Sequence, residues 1–355
     1  MEYHIYGSLK GDLRAKFEVA GDSHKTAGNV LDAGDGTFET VIGTRAASEW
    51  RNLKSPWRNT IVVMDGDRVE YAGVILENTW TPSTRRLQLK TREFPVFLGV
   101  RLMYGVGEYA RGSRSFVNRS LRGIAIESIW HALSTGVERW NLPISVPASE
   151  SGPLTETCWA WDFATAAEWL DSILQREGAP ILDFEPRVTD GKLMWHLRAG
   201  KPRIQESSVK VNLAAGKHPV TNLSITESGL RQVTGLIGVG NGSGKATIHA
   251  DANEVTLPGW TPVPDMPYVD ATLSLKDEKD AGRLQQRAKG ELSHRVRAKV
   301  TAKYDWLAGG LWPRLRPHMQ VTVEGDDPMM GAWSATGRVK SVTSDYTNLQ
   351  KLELI

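Results

Sequence analysis

Gly240-Asn241-Gly242-Ser243-Gly244-Lys245 is the segment of this 355-residue chain that comes nearest to a phosphate-binding loop. That chemistry needs a Gly, four residues, then Gly-Lys and a Ser or Thr, so that backbone N–H groups wrap the phosphates and the hydroxyl meets Mg²⁺. Here Val239 stands at the first Gly position and Ala246 at the hydroxyl position, so a hairpin tip is expected. Gly105-Val106-Gly107-Glu108-Tyr109-Ala110 has the spacing of a dinucleotide fingerprint. Arg111 and Gly112 interrupt any following helix and no strand–helix–strand pattern surrounds it, so a loop is expected. Asp251, Asn253 and Glu254 offer oxygens to a cation, but the remaining EF-hand positions are missing, which leaves a solvated turn. Asp162, Glu168 and Asp171 are the carboxylates for a general acid–base pair; their place around a helix start explains them as capping and surface charge. Arg111, Arg114, Arg119 and Arg122 form a small basic stretch, read as a loop or as charge for a partner subunit rather than a phosphate site. No two of the eight His sit at metal-ligand spacing, and neither an HExxH helix nor a G-x-S-x-G elbow occurs. No catalytic, cofactor-binding or metal residue is therefore assigned, and the chain is not expected to be an enzyme.

Composition agrees. The 43 basic and 41 acidic residues leave a net charge of +2, which favours neither nucleic acid nor an acidic surface. The start, Met1 to Tyr6, has no basic or apolar leader region, and no apolar run approaches the roughly 18 residues a membrane span needs. Cys158 stands alone, so neither an intrachain disulfide nor a thiolate zinc site forms. The 13 Trp are scattered from Trp50 to Trp333, as core or interface anchors would be. Trp159 and Trp161 share one side if their segment is a strand, which makes them the pair to watch for a stacking surface.

The positioning elements are mostly strands. Residues 1 to about 105 alternate in strand fashion, with Asp35-Gly36 and Asp65-Gly66 as turn dipeptides, a short helix over Ala46–Leu53 and a further apolar run from Val96 to Met103. Ile126, Ile129, Trp130, Leu133 and Val137 line one face of a helix that Gly136 would stop. Thr165 and Glu168 have capping-box spacing before a second helix through Trp169, Leu170, Ile173 and Leu174. A hairpin turns at Asp190-Gly191, and short strands occupy 208–257. After Pro258-Gly259-Trp260 and Pro262 a third helix, about Lys276 to His294, buries Ala281, Leu284, Ala288 and Leu292, with Asp277, Glu278 and Asp280 in its first turn.

The most informative pattern is a near-repeat. Ile61 to Asp67, Gly73-Val74-Ile75 and Arg86-Leu87-Gln88-Leu89 match Val321 to Asp326, Gly337-Arg338-Val339 and Lys351-Leu352-Glu353-Leu354. Each copy reads as three strands, with a long one in the middle.

Three segments then give a resemblance in pattern and order rather than in signature residues: Trp57 to Thr91; the helix through Trp169 with "ILDFEPRVTDGKLMWHLRAG"; and the helix from Lys276 with "LRPHMQVTVEGDD" and the closing "TGRVKSVTSDYTNLQKLELI". The chain resembles the phage tail-hub (baseplate-hub) family, in the variant found as a minor tail protein of long-tailed actinobacterial phages. The resemblance implies an α+β, mainly β fold with two tail-tube-like β-barrel domains flanking an inserted mixed α/β region. Residues 1–105 would be the first β-domain, 106–260 the insertion, with a subdivision near 150–160, and 261–355 the second β-domain with its flanking helix. It also implies a homotrimer that sets six β-domains in a ring at the distal end of the tail tube. Its partners would be the distal tail or tail tube protein, the tape measure protein and other tail-tip proteins, with DNA only in transit through the lumen. The place would be the virion tail tip, assembled in the host cytoplasm. Some family members carry a C-terminal peptidase or fibre-like extension; here Ile355 closes the last expected strand. The same fold serves contractile injection systems. Two other classes compete: a Trp-rich carbohydrate- or cell-wall-binding protein, which expects exposed Trp159 and Trp161, and a hydrolase, which expects a pocket of convergent carboxylates with perturbed pKa.

Overall fold

A computed structural model describes all residues except 44–46, 106–111, 135–137, 177, 202, 258–265, 277, 330 and 346. The expectations for Ala46, Val106 to Arg111, Gly136, Val137, Pro258 to Trp260, Pro262 and Asp277 lie outside the described residues. The rest divides into two compact units: Met1–Thr221 with Tyr304–Thr322 and Gly337–Ile355, and Asn222–Lys303 with Val323–Thr336.

In the larger unit the N-terminal strands are β1 (Glu2–Gly7), β2 (Leu13–Phe17), β3 (Gly21–Ala27), β4 (Asp35–Val41), β5 (Asn59–Asp65), β6 (Arg68–Thr81) and β7 (Arg86–Glu93). They lie side by side in the order β3-β4-β7-β6-β5-β1-β2. Asn59 to Met64 are all buried, because β5 separates two cores. Ile61 and Val63 point to one face with Tyr3, Ile5, Phe38, Tyr71, Ile75, Leu87 and Leu89. Val62 and Met64 point to the other, against the inserted helices and hairpin. A strand covered on both faces carries a continuous apolar run, which is why Ile61-Val62-Val63-Met64 does not alternate. Each such side chain contributes about 1.5–3 kcal/mol by leaving water.

The second core holds the insertion in place. Helix Leu121–Ser134 buries Ile124, Ile126, Ile129 and Leu133, and helix Ala166–Leu174 buries Leu170 and Ile173. The capping box forms: Thr165 Oγ1 accepts the Glu168 N–H at 3.2 Å, and Glu168 Oε2 accepts the Thr165 N–H at 2.8 Å. Leu182–Thr189 and Lys192–Ala199 form the hairpin, with positive φ at both Asp190 (51°) and Gly191 (71°), as a two-residue turn of this kind requires. A separate antiparallel pair joins Ser113–Arg119 to Ser151–Trp159.

Several local expectations fail. Asp251 and Asn253 lie in the strand His249–Asn253 and Glu254 is buried, so they form no solvated turn. The third helix starts at Ala281, so Glu278 and Asp280 precede it instead of occupying its first turn. Asp35-Gly36 is not a turn: both residues pair inside β4, opposite Arg92 and Thr91. Gly36 is there for packing, since a Cβ would stand 2.7 Å from Thr91 Oγ1 and 2.9 Å from Tyr71 Oη. The run from Val96 opens as a short helix, Val96–Val100, whose Phe97 and Leu98 reach the core; Pro95 at its N-cap suits a helix start.

The smaller unit holds a three-stranded sheet, His249–Asn253, Gly235–Val239 and Asp270–Ser274, antiparallel then parallel. Helix Ala281–Arg295 buries Leu284, Ala288 and Leu292, while Ala281 is exposed. Leu236, Ala252 and Val233 share the core that Ala288 and Leu292 enter.

Among the described residues no strand path closes on itself.

Candidate functional site

The near-repeat extends well beyond three strands. Strands β1, β3, β4, β5, β6 and β7 have counterparts Ser208–Asn212, Val220–Ser228, Lys299–Leu307, Gln320–Asp327, Gly331–Ser344 and Leu349–Leu354, in the same chain order. The sheet order also matches: β3-β4-β7-β6-β5-β1 against Val220–Ser228, Lys299–Leu307, Leu349–Leu354, Gly331–Ser344, Gln320–Asp327 and Ser208–Asn212. Both middle strands are 14 residues long. Against the strand that follows, both break register at one place, β6 between Ile75 and Glu77 and its counterpart between Val339 and Ser341. Bulges three residues beyond Gly73 and Gly337 fix those glycines as equivalent. The same registers pair Leu89 with Asn78 and Leu352 with Val342, so Leu89, not Leu87, is the counterpart of Leu352. Gly73 to Leu89 is then one residue longer than Gly337 to Leu352, and the difference falls in the turn after the middle strand.

What distinguishes the copies is the far edge of the middle strand. In the second copy β3 lies along it, with Ser341 opposite Ala27, Val342 opposite Thr26, Thr343 opposite Lys25 and Ser344 opposite His24. Gly28 N–H continues the contact to the Lys340 carbonyl at 3.1 Å. Ser341, Val342 and Ser344 are buried as a result. The matching segment of β6, Glu77 to Thr81, pairs with β7 on one side and, among the described residues, has no strand on the other. Trp80 is 40% exposed, against 7% for its counterpart Ser344.

The residues with candidate chemistry are dispersed. Gly240 to Lys245 form the expected tip between Gly235–Val239 and His249–Asn253, with positive φ at Gly242 and Gly244. Glu168 is engaged in its capping box and Asp171 accepts from Gln175 Nε2 at 2.6 Å. Of the basic stretch, Arg119 binds Glu127 and Arg122 binds the Ala199 carbonyl, Arg114 is exposed, and Arg111 lies outside the described residues. Among the described residues no cluster of His, Cys, Asp and Glu could hold a metal, and no helix is long and apolar enough to cross a membrane. Trp50, Trp195, Trp306 and Trp333 are buried, whereas Trp57, Trp80, Trp130, Trp159 and Trp161 are exposed. Trp159 and Trp161 stack on each other, centroids 4.4 Å apart at 16°.

The larger unit also contains a cavity of about 340 Å³ lined by Glu70, Glu93, Asp183, Glu185 and Arg316 among others. Burial pushes the Glu93 carboxyl up to about 8 and also raises Glu70. Each acid has an internal partner: Glu93 accepts the Ala27 and Gly34 N–H groups, Glu70 meets Arg68, Asp183 meets His318 and Glu185 meets Arg187. Such a network perturbs pKa values for structural reasons.

No protein-family model and no curated protein matches the chain. Solved structures do. A 43 kDa tail protein of prophage MuSo2 from Shewanella oneidensis is 12% identical with a TM-score of 0.58, covering 100% of this chain and 98% of that one. The tail protein from Neisseria meningitidis MC58 is 12% identical, TM-score 0.54, over 100% and 96%. Prophage tail protein gp18 from Listeria monocytogenes EGD-e is 10% identical, TM-score 0.50, over 100% and 94%. At these identities the likeness establishes the fold, and this chain has, from end to end, a mainly β fold similar to that of these tail proteins.

Proposed function

We propose that the chain is a structural hub of a phage tail, closing the distal end of the tail tube as a homotrimeric ring and joining it to tail-tip proteins. The observation that carries this reading is the duplication: two copies of one six-strand motif in one chain, in the same strand order. Three chains then supply six copies, which matches a sixfold tube above to a threefold tip below. The open sheet supports the same view, because edges left unpaired in one chain are covered in a cyclic neighbour, and a barrel-type wall is completed between chains. The domain scheme is 1–105 and 261–355 as tube-type β-domains around the insertion 106–260, with Ser208–Asn212 and Val220–Ser228 lent by the insertion to the second copy. The lumen passes tape measure and DNA; the partners are the distal tail or tube protein, the tape measure protein and tail-tip proteins, in a virion assembled in the host cytoplasm. The chain acts without catalysis of its own.

Solution mass and negative-stain images of the full chain test the reading. Trimeric rings with six density maxima are expected. A monomer at all concentrations, or a ring of another order, overturns it. The glycan-binding alternative retains one supporting feature, the exposed Trp159–Trp161 stack.

A further inference from the structure

We infer that the free edge of β6, Glu77 to Thr81, pairs with the outer edge of Val220–Ser228 from a second copy of this chain. The inference rests on the ring reading above and adds the surface that closes it. The template is internal. Strand β3 of the first copy lies on Ser341–Ser344 of the second, and this junction buries the segment it covers. β6 is the counterpart of Gly331–Ser344, and Val220–Ser228 is the counterpart of β3. A duplicated chain therefore makes one such junction within itself and keeps one acceptor edge and one donor strand over. The two leftovers are complementary by construction, because each is the diverged twin of a strand that already pairs this way.

Their chemistry fits an edge that is meant to be covered. Glu77-Asn78-Thr79-Trp80-Thr81 and Val220-Thr221-Asn222-Leu223-Ser224-Ile225-Thr226-Glu227-Ser228 contain neither Pro nor Lys, the residues that usually blunt an exposed edge. Trp80 and Leu223 are exposed large apolar side chains on these two strands. Glu77 already has its charge paired with Lys90 at 2.7 Å, so its approach to Glu227 is screened.

The register follows from matched pairings. Trp306 stands opposite Gln350 as Thr40 stands opposite Leu87. The Leu307 N–H reaches the Pro219 carbonyl at 2.8 Å, which sets Val220–Ser228 along its neighbour. Transposed, Ser224 to Glu227 take the places of His24 to Ala27, and Thr79 comes opposite Ile225. The contact is head-to-tail, so it closes into a ring or grows as a filament.

The test uses the full chain carrying Thr79→Cys with Ile225→Cys, and with Ser224→Cys or Thr226→Cys to cover a one-residue slip. Cys158 is buried with its thiol pushed up to about 11, so it stays silent. Oxidation followed by a non-reducing denaturing gel is expected to give a covalently closed trimer, strongest for Thr79 with Ile225. A ladder longer than three chains would uphold the edge pairing while overturning the ring. A monomer bridged within itself overturns the inference. Absence of bridging in all three variants also overturns it; if the solution mass is then trimeric, the hub reading survives on other contacts, and if it is monomeric, both fall.

Discussion

Trp57 and His318 hold the same place in the two copies. Each has left-handed backbone, φ 62° and 72°, and each donates its N–H to the carbonyl two residues beyond the matched glycine: Trp57 to Ile75 at 2.7 Å, His318 to Val339 at 2.8 Å. Positive φ is uncommon for bulky residues and costs on the order of 1–3 kcal/mol where the surroundings enforce it. Its recurrence at one point of two chain segments with little shared sequence is a backbone signature of duplication. Replacing Trp57 or His318 by Gly relieves the strain but removes the side chain. His318 is buried and faces Asp183, whereas Trp57 is 41% exposed. Trp57→Gly is expected to be close to neutral in chemical denaturation, and His318→Gly to destabilise by about 1–3 kcal/mol through the orphaned Asp183.

The matched glycines should differ under a small substitution and agree under a large one. A Cβ on Gly73 would stand 2.3 Å from Tyr71 Oη and break the buried Tyr71–Thr91 hydrogen bond of 2.8 Å. On Gly337 it would stand 3.1 Å from Leu354 Cβ and 3.2 Å from its Cδ1, an overlap that a shift of a few tenths of an ångström in the last strand relieves. Gly73→Ala is expected to destabilise by roughly 2–4 kcal/mol and Gly337→Ala by under about 1 kcal/mol. Trp at either position should abolish soluble, ring-forming protein. Equal tolerance of Trp at either site in a folding assay would contradict the packing described.

Glu93 should give the fold a pH slope. Burial raises its folded pKa to about 8, well above the ordinary value of 4.5. The folded state therefore holds a proton that the unfolded chain has released between those two values. Its contribution is fully present below about 4.5 and is lost as pH rises through 8. Denaturation midpoints at pH 5, 6.5 and 8 are expected to fall in that order from this group, and Glu93→Gln should flatten the trend. The amide oxygen can still accept the Ala27 and Gly34 N–H groups. An unchanged slope in the Gln variant would assign the trend to other groups.

What could be read from the chain followed the range of the signal. The capping box at Thr165 and Glu168, the turn at Asp190-Gly191 and the long middle strand of the first copy are written in a few adjacent residues. Each formed where expected. Asp35-Gly36 misled because a glycine required by tertiary packing looks the same as one required by a turn. The second copy's first strands were hidden because the sequence between Ser228 and Lys299 separates them from the rest of their motif. The edges were illegible for a deeper reason. Whether Glu77 to Thr81 has a neighbour depends on pairing partners distant in the chain, and periodicity reports a strand's faces, not its edges.

The exposed Trp159–Trp161 stack separates the structural reading from glycan binding. Both rings are solvent-exposed, at 39% and 50%, and each already has one face on the other. Double replacement by Ala is expected to change stability by under about 1 kcal/mol. Pull-down on insoluble bacterial cell wall should show no retention of either form. Retention of the wild-type chain that the double variant loses would favour the carbohydrate-binding alternative.

Trp80 gives the sharpest test of why one copy is covered and the other is bare. Its counterpart Ser344 is paired with His24 of β3 and buried at 7%. On β6 the same position carries the largest side chain available and leaves it 40% exposed. An aromatic residue on an unpaired edge favours aggregation unless a partner covers it, and aromatic anchors at the centre of an interface carry a large share of association energy. Trp80→Ala should therefore leave the thermal unfolding of isolated monomer within a few degrees of wild type. It should weaken assembly by about 2 kcal/mol per junction, close to 30-fold in the dissociation constant seen by analytical ultracentrifugation. Ser344→Ala, at the equivalent point of the internal junction, should leave assembly unchanged. If Trp80→Ala and Ser344→Ala assemble alike, the β6 edge is not where chains meet.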